Sequence, residues 1–391
     1  MAMTKSDLAS EVARYAATFH DAIGYRHHVA SPLGAWLLLA LCAPAAAGSD
    51  ASGLAEVLGT DGADAAARAA DLLAAPHPLV AAAAAVWSQP GAAKQQWLEG
   101  LPPVVTQGEV PAKPDLDQWA RDHTFGLIEE FPVPDSAMID LLIATALATK
   151  VSWAHPFDLA PASSLGSTPW AGQLRQVLRS PNDPTHTVFI TPAGPAGDVA
   201  VHAARAQGGL LVASVIAEAD VPPAQVMAQA HDIATAMATN QAVPQKSLFQ
   251  LPIGTAPLWT IREERSGSAG ERFVAMLPAW SAQSRHDLKD PRFGFAAAAA
   301  ALGSGSGDWD AVQAAMARYS RTGFEAAAVT AMYRLTAAMP RMGISRTAEL
   351  RFGHPYAVVA VTADPVRDGA VHTPWHGVPV FSAWVAEPSE A

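Results

Sequence analysis

The chain has 391 residues, half of them hydrophobic and 16% charged, with a formal net charge of −11. That is enough apolar material for a large core, and it excludes a disordered chain, which needs low hydrophobicity and high net charge. Nucleic acid and anionic membranes are bound through clustered Lys and Arg, and 25 Lys+Arg against 36 Asp+Glu with no basic run argues against both. The single cysteine, Cys42, excludes internal disulfides and a cysteine-based metal cluster. By length alone two or three domains are expected.

The N-terminal stretch has no apolar core of the kind a secretory signal carries. Leu8, Val12, Tyr15 and Phe19 instead fall on one face of a helix. Location is therefore read as cytoplasmic. The most apolar stretch, 33–48, is shorter than the ~20 residues a bilayer span needs and is interrupted by Pro44. It reads as a buried helix with Ser31 as N-cap and Pro32 in the first turn. Alanine runs such as Ala81 to Ala85 carry high helix propensity, so the first hundred residues read as helical. Leu116 to Phe131 is helical by pattern and is stopped by Pro132. Beyond Leu142 the pattern turns strand-like. Val199, Val201 and Ala203 alternate, and Leu210 to Ala217 follows a Gly208-Gly209 turn. Phe273 to Trp280, Tyr356 to Val361 and Val378 to Val385 are further strands, with Ser266 to Gly270 and Gly303 to Gly307 as surface loops. Helices first and strands later indicate an α+β fold.

Nucleotide-binding, zinc-protease and hydrolase-elbow motifs are all missing. No histidine pair has a trusted metal-ligand spacing, and the His27-His28 pair reads as a solvated turn. Cys42 reads as a small buried hydrophobe. The sequence thus gives no sign of a cofactor or metal.

Ser31-Pro32-Leu33 at the head of the apolar helix, Gly53 to Gly59, Trp119 with Thr124, Gly126 and Ile128, Lys150 to Asp158, Leu277 to Trp280 and Gly353 to Val361, in this order, resemble motifs of the serpin family, of bacterial type. Ala30 to Gly48 is similar to the family's S-P-L-S-I and the apolar helix that follows it. Gly53 to Gly59 resembles Q-I-A-E-V-L-G. Trp119, Thr124, Gly126 and Ile128 fit I-N-x-W-V-x-x-x-T-x-G-x-I. Lys150 to Asp158 looks like the K-G-x-W-x-x-P-F-D that ends the central strand. Leu277 to Trp280 and Asp287 to Pro291 resemble L-P-K-F and Y-D-L-K. Gly353 to Val361 and Val380 to Pro388 resemble the closing H-P-F-x-F-x-I and L-F-M-G-R-V-x-x-P. The series spans almost the whole chain. It implies one domain, residues 1–391, of eight or nine helices around three β-sheets, with an exposed reactive-centre loop at 321–351. Many members of the family are secreted, so an extracellular location stays open.

The resemblance implies a monomeric protease inhibitor, not an enzyme. A loop is offered as substrate, and after the acyl-enzyme forms it inserts into the large sheet and drags the protease with it. A strand rises ~3.3 Å per residue, so about fifteen inserted residues move the ester by roughly 50 Å. Insertion must outrun deacylation, which makes the trap kinetic. Gly323, Phe324, Glu325, Ala326, Ala327 and Ala328 match the family's hinge, where small residues pass quickly from loop to strand. Ser31, Thr145, Lys150 and Trp153 fall where the sheet opens.

Three departures weaken the inhibitory expectation and leave a non-inhibitory carrier as its rival. Phe324 stands where Thr or Ser is usual, and overpacking costs ~1–3 kcal/mol. Parity sends Arg334 to the buried face together with Ala326, Ala328, Thr330 and Met332, where an unpaired charge is costly. Arg321 and Ala279 replace a pair that is acidic and basic in the family, and Thr145 replaces an Asn. Counting from the hinge puts the scissile bond at Ala337–Ala338, which suits an elastase- or subtilisin-like protease. Arg341–Met342 suits a trypsin-like enzyme, and counting back from His354 gives Ile344–Ser345.

Overall fold

The computed structural model describes residues 8–133, 139–266, 269–303, 309–324, 343–364 and 372–391. The helices are α1 (Leu8–Ile23), α2 (Pro32–Cys42), α3 (Gly48–Leu58), α4 (Gly62–Ala74), α5 (Gln95–Glu99), α6 (Lys113–His123), α7 (Pro223–Ala238) and α8 (Phe295–Ala301). The first strands are β1 (His28–Ala30), β2 (Val80–Ser88), β3 (Thr106–Gly108), β4 (Leu141–Thr149), β5 (Val151–Ser152), β6 (Asp158–Pro161), β7 (Gln176–Arg179), β8 (His186–Pro192), β9 (Asp198–Ala206) and β10 (Leu210–Ile216). The rest are β11 (Gly254–Thr255), β12 (Trp259–Ser266), β13 (Gly270–Leu277), β14 (Trp280–Asp287), β15 (Val312–Tyr319), β16 (Gly323–Phe324), β17 (Gly343–Arg351), β18 (Tyr356–Thr362) and β19 (Pro379–Val385). No helix among the described residues is long and apolar enough to cross a membrane.

The chain folds into two compact units, each assembled from separated stretches. The first takes Met1–Lys150, Ala282–Ala317 and Ala360–Ala383; the second takes Val151–Ser281, Arg318–Val359 and Trp384–Ala391.

In the first unit α2 is the centre of the core. It is apolar all round, and every residue but Leu38 is buried, as expected for a helix with neighbours on all faces. Its start is as predicted: Pro32 lies in the first turn and Ser31 Oγ accepts the Gly34 N–H at 3.3 Å. Around it, α1 buries the predicted face of Val12, Tyr15 and Phe19. Glu11, also buried, is ion-paired with Arg68 of α4 at 2.6 Å. Buried indoles each find an acceptor: Trp36 donates to Leu58 O at 3.1 Å, Trp97 to Leu41 O at 2.9 Å and Trp375 to Ala75 O at 2.7 Å. Cys42 is buried, and burial pushes its thiol up to about 12, which fits an inert hydrophobe.

In the second unit a mixed sheet runs β11-β12-β17-β13-β7-β6. β17 is antiparallel to β12 and parallel to β13. A second ladder, β8-β9-β10, is antiparallel, and α7 packs on β10.

Four expectations are corrected. Ala81 to Ala85 lies in strand β2, not a helix, because pairing to β3 on one edge and β4 on the other outweighs alanine's propensity. The helix at 116–131 ends at His123: Phe125 takes a left-handed φ of 53°, and the Gly126 N–H turns back to Arg121 O. The strand expected over Phe273 to Trp280 breaks into β13 and β14 at Pro278. His28 is buried rather than solvated. Its Nδ1–H donates to Arg26 O at 2.7 Å, so its Nε2 accepts from His20 Nδ1 at 2.8 Å, and His20 Nε2 accepts from Ser382 Oγ at 2.6 Å.

Candidate functional site: an open strand cleft and a hinge

The first unit contains a cleft between two strand edges. β4 is hydrogen-bonded along its whole length to β2, from Leu141↔Ser88 to Thr149↔Val80. Among the described residues no strand pairs with its other edge. β15 pairs with β14 and likewise ends its ladder. Residues 141–147 of β4 and 312–314 of β15 line one cavity of about 840 Å³, together with Leu38 of α2, Trp119 of α6 and Phe295 of α8. An unpaired strand edge carries a row of N–H and C=O groups that need partners, so it is a template for another strand.

The base of the cleft is polar, and the sequence-predicted Ser31 and Thr145 meet there. Thr145 Oγ1 donates to Gly34 O at 2.8 Å, tying β4 to α2. A Cβ on Gly34 would meet Leu147 and Ser31 Oγ at 3.4 Å, an ordinary packing contact. Ser31 Oγ donates to Val380 O at 2.9 Å. From β15, Gln313 holds both backbone groups of Ser31: the Ser31 N–H donates to Gln313 Oε1 at 2.9 Å, and Gln313 Nε2 donates to Ser31 O at 2.8 Å. One helix terminus thus binds both strands. Lys150, the third predicted residue, is exposed at the end of β4.

The second unit contains Gly323 and Phe324, the start of the expected hinge. β15 runs into a reversal at 320–323, where the Ser320 N–H and Oγ–H both donate to Gly323 O, at 3.0 and 2.8 Å. Gly323 and Phe324 then pair antiparallel with Ser152 and Val151. The predicted Trp153 is buried beneath this turn. Its indole donates to Ser320 O at 3.0 Å and its N–H to Thr322 O at 3.1 Å. Arg321, which looked unsuited to its position in the sequence, is placed by Nε donating to Phe157 O at 3.0 Å. Glu325, Ala326, Ala327, Ala328, Ala337, Ala338, Arg341 and Met342 lie outside the described residues.

Ile344 and Ser345 do not lie in a loop. Both are inside β17, with Ser345 opposite Glu264 of β12 and Gly270 of β13. A protease needs its substrate strand released, and a bond in a strand paired on both sides is not presented that way. The loop expected over 321–351 is thus strand from Gly343 to Arg351. Arg351 fixes its far end: the buried guanidinium donates to Thr260 Oγ1, to Ala256 O and, at 2.9 Å, to Trp259 O.

Buried histidines underlie the hinge. His186 Nε2–H donates to His155 O at 2.8 Å, so its Nδ1 accepts from His202 Nε2–H at 3.1 Å, and Tyr319 Oη lies 3.5 Å from His202 Nδ1. Burial holds His202 neutral well below the usual histidine range and lowers His186 in the same direction. His155 Nδ1 lies 3.0 Å from Asp183, whose carboxyl is held low by Thr185 hydrogen bonds despite its partial burial.

Gln313, Ser320 and Arg351 hold this arrangement together and were missed by sequence reasoning. A polar Gln313 inside the otherwise apolar run 312–317 was the available signal.

No protein-family model matches the sequence, and no curated protein matches it. Solved structures do match in three dimensions. The chain is similar to Serpin48 of the insect Tenebrio molitor (14% identity, TM-score 0.62, all of both chains). It is similar to the native state of tengpin, a thermophilic serpin (11% identity, TM-score 0.65, 99% of this chain and 96% of that one). It is also similar to human thyroxine-binding globulin complexed with thyroxine (13% identity, TM-score 0.63, 98% of this chain and 99% of that one). Identities this low speak for architecture. Together with the helices, the sheets and the open cleft, they establish that the chain has the α+β fold of the serpins.

Proposed function

We propose that this protein is an inhibitory serpin, a single 391-residue domain that traps a serine protease by inserting its cleaved loop between β4 and β15. The observation that carries the reading is the pair of strand edges flanking the cavity, neither of which pairs there with a strand among the described residues. The chain connections support it. β4 leads through Lys150 into β5, and β15 leads through the 320–323 reversal into β16, and β5 and β16 are paired. If the cleaved loop inserted on the antiparallel register begun by Phe324↔Val151, Ala328 would come opposite Leu147, Thr330 opposite Thr145 and Arg334 opposite Leu141. Arg334 then reaches the last residue pair of β4, where its long stem reaches water. Ala337–Ala338 follows, and an elastase- or subtilisin-like protease is the favoured target, with a trypsin-like one the alternative at Arg341–Met342.

A carrier is the second reading. It is favoured by Phe324, by the volume of the cavity, about 840 Å³, and by the likeness to a globulin solved with thyroxine.

One experiment separates the two. The protein is mixed with elastase-, subtilisin- and trypsin-like enzymes and run on a denaturing gel, and a loop-nicked sample is melted beside the intact one. An inhibitor gives a detergent-stable adduct and a large rise in Tm on nicking. Cleavage with neither rejects the inhibitory reading in favour of the carrier.

A further inference from the structure

Between β18 and β19 lies a cluster that the protease reading does not use. Asp364 stands two residues beyond β18, and His372 and His376, four residues apart, lead into β19. One donor atom from each lies within 4.8 Å of the others. Nδ1 of His372 is 3.5 Å, and Nδ1 of His376 3.9 Å, from the same oxygen, Asp364 Oδ2. The two imidazoles stack with centroids 3.9 Å apart and 10° between planes.

The three donors are held close together, and the carboxylate is fixed in place. Thr373 fixes the carboxylate: its N–H donates to Oδ2 at 2.7 Å and its Oγ1–H to Oδ1 at 2.8 Å. Each carboxylate oxygen keeps a further lone pair. The Asp364 N–H donates to His376 Nδ1 at 3.1 Å, so that nitrogen carries a lone pair and the ring is a neutral tautomer. An aspartate that only capped the Thr373 turn would need neither imidazole beside it.

We propose that Asp364, His372 and His376 bind one divalent transition-metal ion of the zinc, cobalt or nickel class. Two imidazoles and a carboxylate suit such ions, whereas magnesium and calcium prefer all-oxygen sets. Tetrahedral bonds of ~2.0–2.1 Å place donors about 3.4 Å apart. The 3.5 and 3.9 Å separations are therefore nearly right before any ion enters. Binding requires the rings to tilt out of their stack so that their lone pairs converge. It also requires the ion to replace the Asp364 N–H as the partner of His376 Nδ1. His372, with a side chain 66% exposed, has room to move and leaves the fourth position open to water. The ion would close the connection between the two strands. Because the three ligands are assembled only in the folded chain, binding raises stability.

The test uses the full chain, stripped with chelator and titrated with Zn²⁺ by calorimetry and with Co²⁺ by absorption. The expected result is one ion per chain, tetrahedral Co²⁺ bands, and a Tm raised by Zn²⁺ but not by Mg²⁺ at equal concentration. D364N and H372A should each weaken Zn²⁺ binding tenfold or more, and T373V, which removes only the orienting hydroxyl, by about tenfold. His372 is largely exposed, so H372A should melt like the parent in chelator, which separates lost binding from lost folding. Absence of saturable Zn²⁺ uptake, or uptake unchanged in both D364N and H372A, overturns the proposal.

Discussion

The two ends of the segment 325–342 are held by unlike means. At its start, among the described residues, Gly323 and Phe324 are paired on the two-residue strand β5. At its end β17 is paired on both sides, with β12 from Leu350↔Trp259 to Gly343↔Ser266 and with β13 from Arg351↔Met276 to Ser345↔Gly270. Ladder hydrogen bonds and cross-strand packing are cooperative, so a long strand inside a sheet opens far more rarely than a two-residue bridge. A chain cut between these ends would keep its C-terminal half anchored and release its N-terminal half to extend the pairing it has begun. On the inhibitory reading, this asymmetry, more than the alanines at 326–328, would give insertion its direction.

The comparison breaks most readily at the strong end. Arg351→Ala removes a buried cation from several acceptors, and hydrogen bonds to charged groups are worth ~1.5–3 kcal/mol each. A loss of about 3 kcal/mol or more is expected in urea unfolding, with β17 amides exchanging faster. Unchanged stability would mean that the strand pairing alone anchors this end.

Acid should loosen the weak end selectively. His202 is neutral in the folded protein because burial depresses its pKa, so the unfolded chain binds more protons. Its contribution is complete above about pH 6.5 and is lost progressively as pH falls below that value. Hydrogen exchange at pH 5 and 7, corrected for intrinsic rates, should show Ser320 to Phe324 losing protection at the lower pH while β17 does not. His202→Gln should flatten that difference, and equal loss at both ends would contradict it.

On the inhibitory reading, Phe324→Thr should improve protease trapping about tenfold, as a smaller side chain enters a sheet without the ~1–3 kcal/mol that overpacking costs, read as fewer inhibitor molecules consumed per protease trapped. The smallest effect is expected at Glu263, whose carboxylate meets Arg346 at 2.9 Å on the exposed side of β12. Glu263→Gln should cost no more than ~1 kcal/mol by urea unfolding, because Arg346 keeps its bonds to Leu248 O and Leu251 O.

Elements with a strong local signature were legible before the structure. The faces of α1, the Ser-Pro entry to α2, and the apolar runs of β10, β18 and β19 each declare themselves within a dozen residues. β2 did not, because polyalanine is helical by propensity and becomes a strand only through partners distant in sequence. The same holds for the site. Ser31 and Thr145 were found through resemblance, but nothing local says that they meet around Gly34. Gln313 comes from 282 positions away to hold Ser31. His28 was misread because its partner His20 comes from a helix and is itself held by Ser382, from a strand near the C-terminus.

The N-terminus of α2 has a consequence for how wide the cleft can be. Thr145 is moored to it through Gly34 and Gln313 through Ser31. The spacing of the two strands is thus gauged by a rigid rod beneath them. Substitutions on that rod, far from any bond a protease would touch, should tune how readily a third strand is admitted.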